Sequence, residues 1–168
     1  MICPFCSFKN IPGSDECKSC SEDLSSFDGA SPKSKFERVL MEDPLSRLKP
    51  RQPLSVSGKT SALEAAHTMN TGKVGAVLVM EGEKLAGILT ERDLIFKALG
   101  KKPDLSKVLV SDIMTQDPTT LAEEDTLAHA INQMSVGSYR HIPITRKGKP
   151  VGIISVRDVV AYLTKLFP

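Results

Sequence analysis

The chain lacks a surplus of charge of either sign: 22 basic residues face 20 acidic ones among 168, a net charge of +2. That balance provides no electrostatic footprint for nucleic acid or an anionic membrane, both of which select basic surfaces. No stretch approaches the roughly 18 apolar residues of a membrane-crossing helix, and polar residues and cysteines stand where a signal peptide would carry its apolar core. Loops of the G-x-S-x-G, H-E-x-x-H and Walker types are also missing, so no enzyme is expected. Cysteine is absent after residue 20. These absences predict a soluble, cytoplasmic, non-catalytic chain whose partners are small molecules or proteins.

The four cysteines form two pairs, Cys3-Pro4-Phe5-Cys6 and Cys17-Lys18-Ser19-Cys20, with ten residues between them. In a reducing compartment such pairs point to metal rather than to disulfides. Two CxxC hairpins can deliver four thiolates to a tetrahedron about 2.3 Å from Zn²⁺, and binding then supplies folding energy that so short a segment cannot draw from a core. A disulfide or a redox CxxC is the alternative, disfavoured by the missing βαβ context. Four sulfurs suit iron as well; zinc is the expectation. The segment resembles the short zinc-ribbon family, on Cys3 to Cys6, Asn10, Pro12-Gly13, Cys17 to Cys20 and Leu24. Ser7 and Ser21 depart from it, standing where that family has glycine, which accepts positive φ without steric cost. The resemblance implies a regulatory or adaptor appendage. Lys9 and Lys18 are outnumbered by Asp15, Glu16, Glu22, Asp23 and Asp28, so a nucleic-acid-binding ribbon is the weaker alternative.

Beyond residue 35 the chain repeats itself. Gly87-Ile88-Leu89-Thr90-Glu91-Arg92-Asp93 returns 65 residues later as Gly152-Ile153-Ile154-Ser155-Val156-Arg157-Asp158. The register holds without a gap from Leu45 to Leu99 over Val110 to Thr164, with ten identities in 55 positions and coincident apolar runs. A unit of about 60 residues is marginal alone, so the two copies should share a core. The organisation read from this is a ribbon over 1–25, a flexible linker over 26–35, unit 1 over 36–104 and unit 2 over 105–168, with a ribbon that does not pack rigidly.

Periodicity predicts a short helix over Phe36 to Met41, stopped by Pro44. In the first repeat it predicts a helix from Ser61 to Met69 with Ala62, Leu63, Ala65, Ala66 and Met69 facing inward and Gly72 closing it. Strands follow over Val74 to Met80 and Leu85 to Leu89, then a helix from Leu94 to Leu99 ended by Gly100. The second repeat runs likewise: helix Thr126 to Ser135, strand His141 to Thr145, a Lys147-Gly148 turn, strand Val151 to Ile154, and a helix from Arg157 to Leu166. Each unit is β-α-β-β-α. His67 and His129 are expected on polar helix faces, and Met69, Met80, Met114 and Met134 as core or interface filler.

Met114-Thr115, Ala65/Met69 and Ala130/Met134, Arg140-His141-Ile142-Pro143-Ile144, and the two Gly-to-Asp motifs together resemble the CBS domain, and the pair resembles a CBS tandem. The resemblance covers roughly Val39 to Phe167. It implies an α/β (α+β) fold of two units packed as a pseudo-twofold pair, assembly into a homodimer through helices, and an adenosine-containing ligand (AMP, ADP, ATP or S-adenosylmethionine) that alters an unknown partner. The implied ligand residues of the second repeat are Thr120, Tyr139, Arg140, His141, Pro143, Ser155, Arg157 and Asp158. Those of the first are Val56, Ala76, Thr90, Arg92 and Asp93.

Asp93 and Asp158 suit ribose hydroxyls, Thr90 and Ser155 suit ribose or phosphate, and Arg140 and His141 offer positive charge to phosphate. The first repeat has Gly75-Ala76 where the second has Arg140-His141, so the second is the fuller set. The bland alternative is that Thr90-x-x-Asp93 and Ser155-x-x-Asp158 are helix capping boxes and nothing more. His141 as catalytic base or metal ligand is disfavoured, since no ligand spacing surrounds it.

Overall fold

A computed structural model describes residues 1–11, 14–25, 34–99 and 104–167. The Pro12-Gly13 turn, Gly100 and most of the expected linker lie outside the described residues. The chain divides into two compact units that interleave along the sequence: 1–50 with 121–142 and 154–168, and 51–120 with 143–153.

The unit built around residues 51–120 contains β1 (Ser55–Ser57), α2 (Ala62–Gly72), β2 (Ala76–Glu81), β3 (Lys84–Thr90), α3 (Glu91–Asp93), α4 (Val110–Ile113) and β4 (Thr115–Gln116). The strands lie in the order β1-β2-β3-β4, with β1 parallel and β3 antiparallel to β2. Ala76 to Val79 are all buried, as an unbroken apolar run should be when both sheet faces are covered. One face, Val77, Val79 and Leu89, packs with Ala62, Ala65 and Met69 of α2; the other, Ala76, Leu78 and Ile88, forms a second cluster. Period-2 side-chain alternation thus feeds two apolar layers from one run. Burying each such Val or Leu contributes about 1.5–3 kcal/mol.

α2 begins at Ser61, whose hydroxyl accepts from the Glu64 amide while the Glu64 carboxylate accepts from the Ser61 amide. Two expectations need correction. Leu63 is 41% exposed rather than inward. The left-handed residue that ends α2 is Lys73 (φ 51°), one past Gly72. A Cβ at Gly72 would meet the end of the Leu54 side chain, which is exposed and free to shift, so the helix end does not demand glycine there. The helix after β3 continues from α3 as a π-helix, Leu94–Leu99.

The other unit holds the cysteine segment, α1 (Lys35–Glu42), a 3₁₀ turn (Leu45–Leu48), β5 (Leu121–Ala122), α5 (Leu127–Gly137) and α6 (Val156–Leu166). Ser34 caps α1 by accepting from the Glu37 amide at 3.1 Å. A second sheet has the order β5-β6-β7, where β6 is His141–Arg146 and β7 is Lys149–Ser155. Lys147 and Gly148 join β6 to β7 with φ of 50° and 76°, the two positive values of a type I′ hairpin turn. α5 ends as α2 does, with the left-handed residue at Ser138 (φ 53°).

The lead-in segments of the two repeats are exchanged. Leu45 N–H donates to the Asp125 carbonyl at 2.8 Å and Val110 N–H to the Thr60 carbonyl at 2.9 Å. Leu127 N–H donates to the Asp43 carbonyl at 3.2 Å, and Ala62 N–H to the Val108 carbonyl at 2.7 Å. Shifting either member of each pair by 65 gives the other with roles swapped. The residues preceding one repeat therefore close the helix start of the other.

Candidate functional site

The ribbon is itself built twice. Cys3 N–H donates to the Phe8 carbonyl and Cys17 N–H to the Glu22 carbonyl, each at 2.9 Å, while Ser7 and Ser21 donate back to Cys3 and Cys17. These knuckles bring the sulfurs of Cys3, Cys6, Cys17 and Cys20 within 4.8 Å of one another. The Cys3–Cys20 and Cys6–Cys17 separations are 3.7 and 3.5 Å, close to the edge of about 3.8 Å that 2.3 Å bonds to a central ion imply.

Burial pushes the Cys17 thiol up, but hydrogen bonds from the Asn10 amide, the Cys20 and Ser19 backbone and the Cys6 thiol outweigh it and bring it down to about 6. Burial raises Cys3 and Cys20. Four sulfurs this close resist ionising together unless a cation lies among them, so the donor set fits a thiolate-binding metal. Ser7 and Ser21 both take φ of 57°, the conformation that glycine would supply more readily.

The ribbon docks on α5, contrary to the expectation of a loosely attached segment. Thr126 Oγ1 donates to the Pro4 carbonyl at 3.3 Å, and Asn132 Nδ2 to Glu22 Oε1 at 3.1 Å. Ser7 Oγ lies 3.4 Å from His129 Nδ1, which also lies 3.3 Å from Asp125 Oδ1. Ala128, His129 and Asn132 are buried, while their counterparts Leu63, Glu64 and His67 on α2 are exposed. His129 thus leaves the polar face expected for it. In the sequence it differed from Glu64 only as a departure from the repeat, which was the signal available.

The two Gly-to-Asp motifs both form reciprocal caps. Asp93 Oδ2 accepts from Thr90 N at 3.0 Å and Thr90 Oγ1 at 2.6 Å; Asp158 Oδ2 accepts from Ser155 N at 2.8 Å and Ser155 Oγ at 2.6 Å. Their second oxygens differ. Asp93 is buried and its Oδ1 holds Lys97 Nζ at 2.7 Å. Asp158 is exposed, and its Oδ1 has no partner among the described residues. The residue at the Lys97 position is Tyr162, whose hydroxyl donates instead to Asp43 Oδ2 at 2.7 Å. Lys97 was missed at the sequence level, although an i,i+4 spacing from Asp93 is an ion-pair signal.

Among the first-repeat candidates, Ala76 lies opposite Thr90 in the β2–β3 register and Val56 pairs with Val79 on the neighbouring strand. Arg92 stacks on Phe96, its guanidinium 5.7 Å from the ring centre. These residues all belong to the unit around 51–120. Of the second-repeat set, Tyr139, Arg140, His141, Ser155, Arg157 and Asp158 share the unit that carries the ribbon, whereas Thr120 and Pro143 belong to the other. Val156 N–H donates to the Arg140 carbonyl at 3.1 Å, which ties the start of α6 to the start of β6. Arg140 and Arg157 are exposed, Tyr139, His141 and Ser155 are partly buried, and Pro143 is buried.

Duplicated β-α-β-β-α units with capped aspartates at the start of each final helix define a tandem α/β module, and comparison with known proteins agrees on the fold. The CBS domain family matches twice, over residues 45–100 and 110–165, and the chain belongs to that family. The CBS domain-containing protein CBSCBSPB5 of Arabidopsis thaliana is 29% identical over 116 residues, which are 68% of this chain and 21% of that protein. The chain therefore spans about a fifth of that relative's length. The crystal structure of the CBS-domain containing protein ATU1752 from Agrobacterium tumefaciens shares 33% identity at a TM-score of 0.66, over 71% of this chain and 95% of that one. The CBS domain protein PAE2072 from Pyrobaculum aerophilum, complexed with AMP, has the same fold at 23% identity and a TM-score of 0.63, covering 73% of this chain and 98% of its own. Among the described residues no helix is long and apolar enough to cross a membrane.

Proposed function

We propose that the chain is a non-catalytic regulatory protein in which the second repeat binds an adenosine-containing ligand such as AMP, ADP, ATP or S-adenosylmethionine, and the metal-loaded ribbon serves as the adaptor to a regulated partner. One observation carries the ligand reading: the carboxylate of Asp158 is fixed by its capping box yet exposed, its Oδ1 unpaired among the described residues, while that of Asp93 is held by Lys97. A preset acceptor suits ribose hydroxyls, and Arg140 and His141 at the adjoining strand start suit phosphate. The AMP held by the Pyrobaculum protein supports adenosine as the ligand class for this fold. Zinc is the ion assigned to the four cysteines, with iron the alternative. A homodimer is the assembly assigned, with Val136, Val156 and Val160, exposed on α5 and α6, as apolar surface for it to cover. The setting is cytoplasmic.

Ligand changes the partner only through a difference in affinity between two arrangements of the chain. Calorimetric titration with AMP tests the reading: saturable heat is expected, weakened by Asp158→Ala. No heat with any of the four ligands at millimolar concentration refutes it.

A further inference from the structure

We propose that the cysteine cluster and the second-repeat ligand residues are coupled through a polar chain, Ser7–His129–Gln133–Tyr139, so that metal loading of the ribbon and ligand binding each change the affinity of the other. The coupling rests on the ligand reading above.

Ser7 follows Cys6 directly and is held at φ 57° by the knuckle turn, with its Oγ 3.4 Å from His129 Nδ1. The Asp125 carboxylate, 3.3 Å from the same nitrogen, places the ring proton on Nδ1 and leaves Nε2 as an acceptor. Gln133 Nε2 stands 3.5 Å from that Nε2 and serves as its donor. The Gln133 Oε1 then accepts from the Tyr139 hydroxyl at 3.3 Å. From the tyrosine to the imidazole, and from the imidazole to Ser7 and Asp125, each donor meets an acceptor. One tautomer satisfies the whole chain.

The far end is fixed as well. Gly137 leaves room for the Tyr139 ring, since a Cβ there would collide with it. Tyr139 is followed by Arg140, whose carbonyl accepts from Val156, and Val156 follows Ser155, the cap partner of Asp158. The Pro4–Thr126 and Glu22–Asn132 hydrogen bonds anchor the ribbon along the same helix. Cysteine knuckle, α5, Tyr139, Arg140, Ser155 and Asp158 thus belong to one compact unit.

Two departures from pattern make the chain. A glycine at position 7, as in the ribbon family, has no hydroxyl to offer His129. In the first repeat the positions of His129, Gln133 and Tyr139 are Glu64, Thr68 and Val74, which cannot form it. These residues occur together in the repeat whose aspartate, Asp158, keeps one oxygen without a partner among the described residues. Because metal binding supplies the ribbon's folding energy, losing the ion releases the knuckle that aims Ser7. Tyr139 and Arg140 then lose one of the contacts that position them.

The test measures zinc affinity of the full chain by competition with a chromophoric chelator, with and without saturating AMP. By linkage, AMP should shift zinc affinity in the wild type by about fivefold or more. Ser7→Gly and Gln133→Leu should bind both zinc and AMP and show no shift. Two results overturn the proposal: no shift in a wild type that binds both, or an undiminished shift in Ser7→Gly. A chain that takes up no zinc overturns it too. If AMP does not bind, the ligand reading fails, and amide exchange across residues 138–142 decides the coupling. Faster exchange there on zinc removal, in the wild type but not in Ser7→Gly, supports the chain; unchanged exchange overturns it.

Discussion

Replacing Asp158 with asparagine separates the two roles of its carboxylate. Oδ2 accepts from the Ser155 amide and hydroxyl at 2.8 and 2.6 Å, and an asparagine carbonyl can keep both bonds, so the cap survives. The loss of negative charge at the first turn of α6 costs about 0.3–1 kcal/mol. At Oδ1 the amide nitrogen can only donate, so a ribose hydroxyl that met a charged acceptor now meets a donor. A hydrogen bond to a charged group contributes about 1.5–3 kcal/mol, which corresponds to a loss of roughly tenfold to a hundredfold in AMP affinity. Asp93→Asn is the matched control. It weakens an ion pair to Lys97, which is 42% exposed, at a cost of about 1 kcal/mol or less in stability, and leaves AMP affinity within about twofold. Calorimetry with AMP and urea unfolding on the three proteins measure both quantities. Equal AMP affinity in wild type and Asp158→Asn, or an equal loss in Asp93→Asn, refutes the assignment of the unpaired oxygen to ribose.

Burial and the hydrogen bond to Asp43 raise the Tyr162 hydroxyl above its ordinary 10.0, so its contribution to stability is complete below about pH 10 and is lost as pH rises through the raised value. Tyr162→Phe should flatten that alkaline decline in urea midpoints. Ser21→Gly relieves a left-handed serine at φ 57° and should stabilise the metal-loaded ribbon by about 1–2 kcal/mol against chelators, whereas Ser7→Gly gains less because it gives up the His129 contact. Gly87→Ala should destabilise the fold by about 1–3 kcal/mol in thermal unfolding, since its Cβ would stand 2.8 Å from the Thr115 carbonyl of β4 and 2.6 Å from Met114 Sδ. Because Cys3 and Cys20 hold their protons more tightly than free thiols, metal uptake should weaken as pH falls, measured by chelator competition across pH.

The sequence by itself determined the duplicated β-α-β-β-α order, both capping boxes and the four-cysteine cluster. These depend on period-2 and 3.6-residue patterns, a 65-residue register and CxxC spacing, all written in near neighbours along the chain. Tertiary structure decided what each position faces. It turned Leu63 outward, buried His129, gave Lys97 to Asp93 while leaving Asp158 Oδ1 open, and exchanged the lead-in segments so that Leu45 bonds to Asp125 and Val110 to Thr60. It also seated the ribbon on α5 through Ser7, Pro4 and Glu22. Such contacts join residues up to 122 positions apart, where no local periodicity constrains the pairing. A symmetric sequence specifies two similar units; the single ribbon, able to cover only one of them, makes the second repeat different from the first.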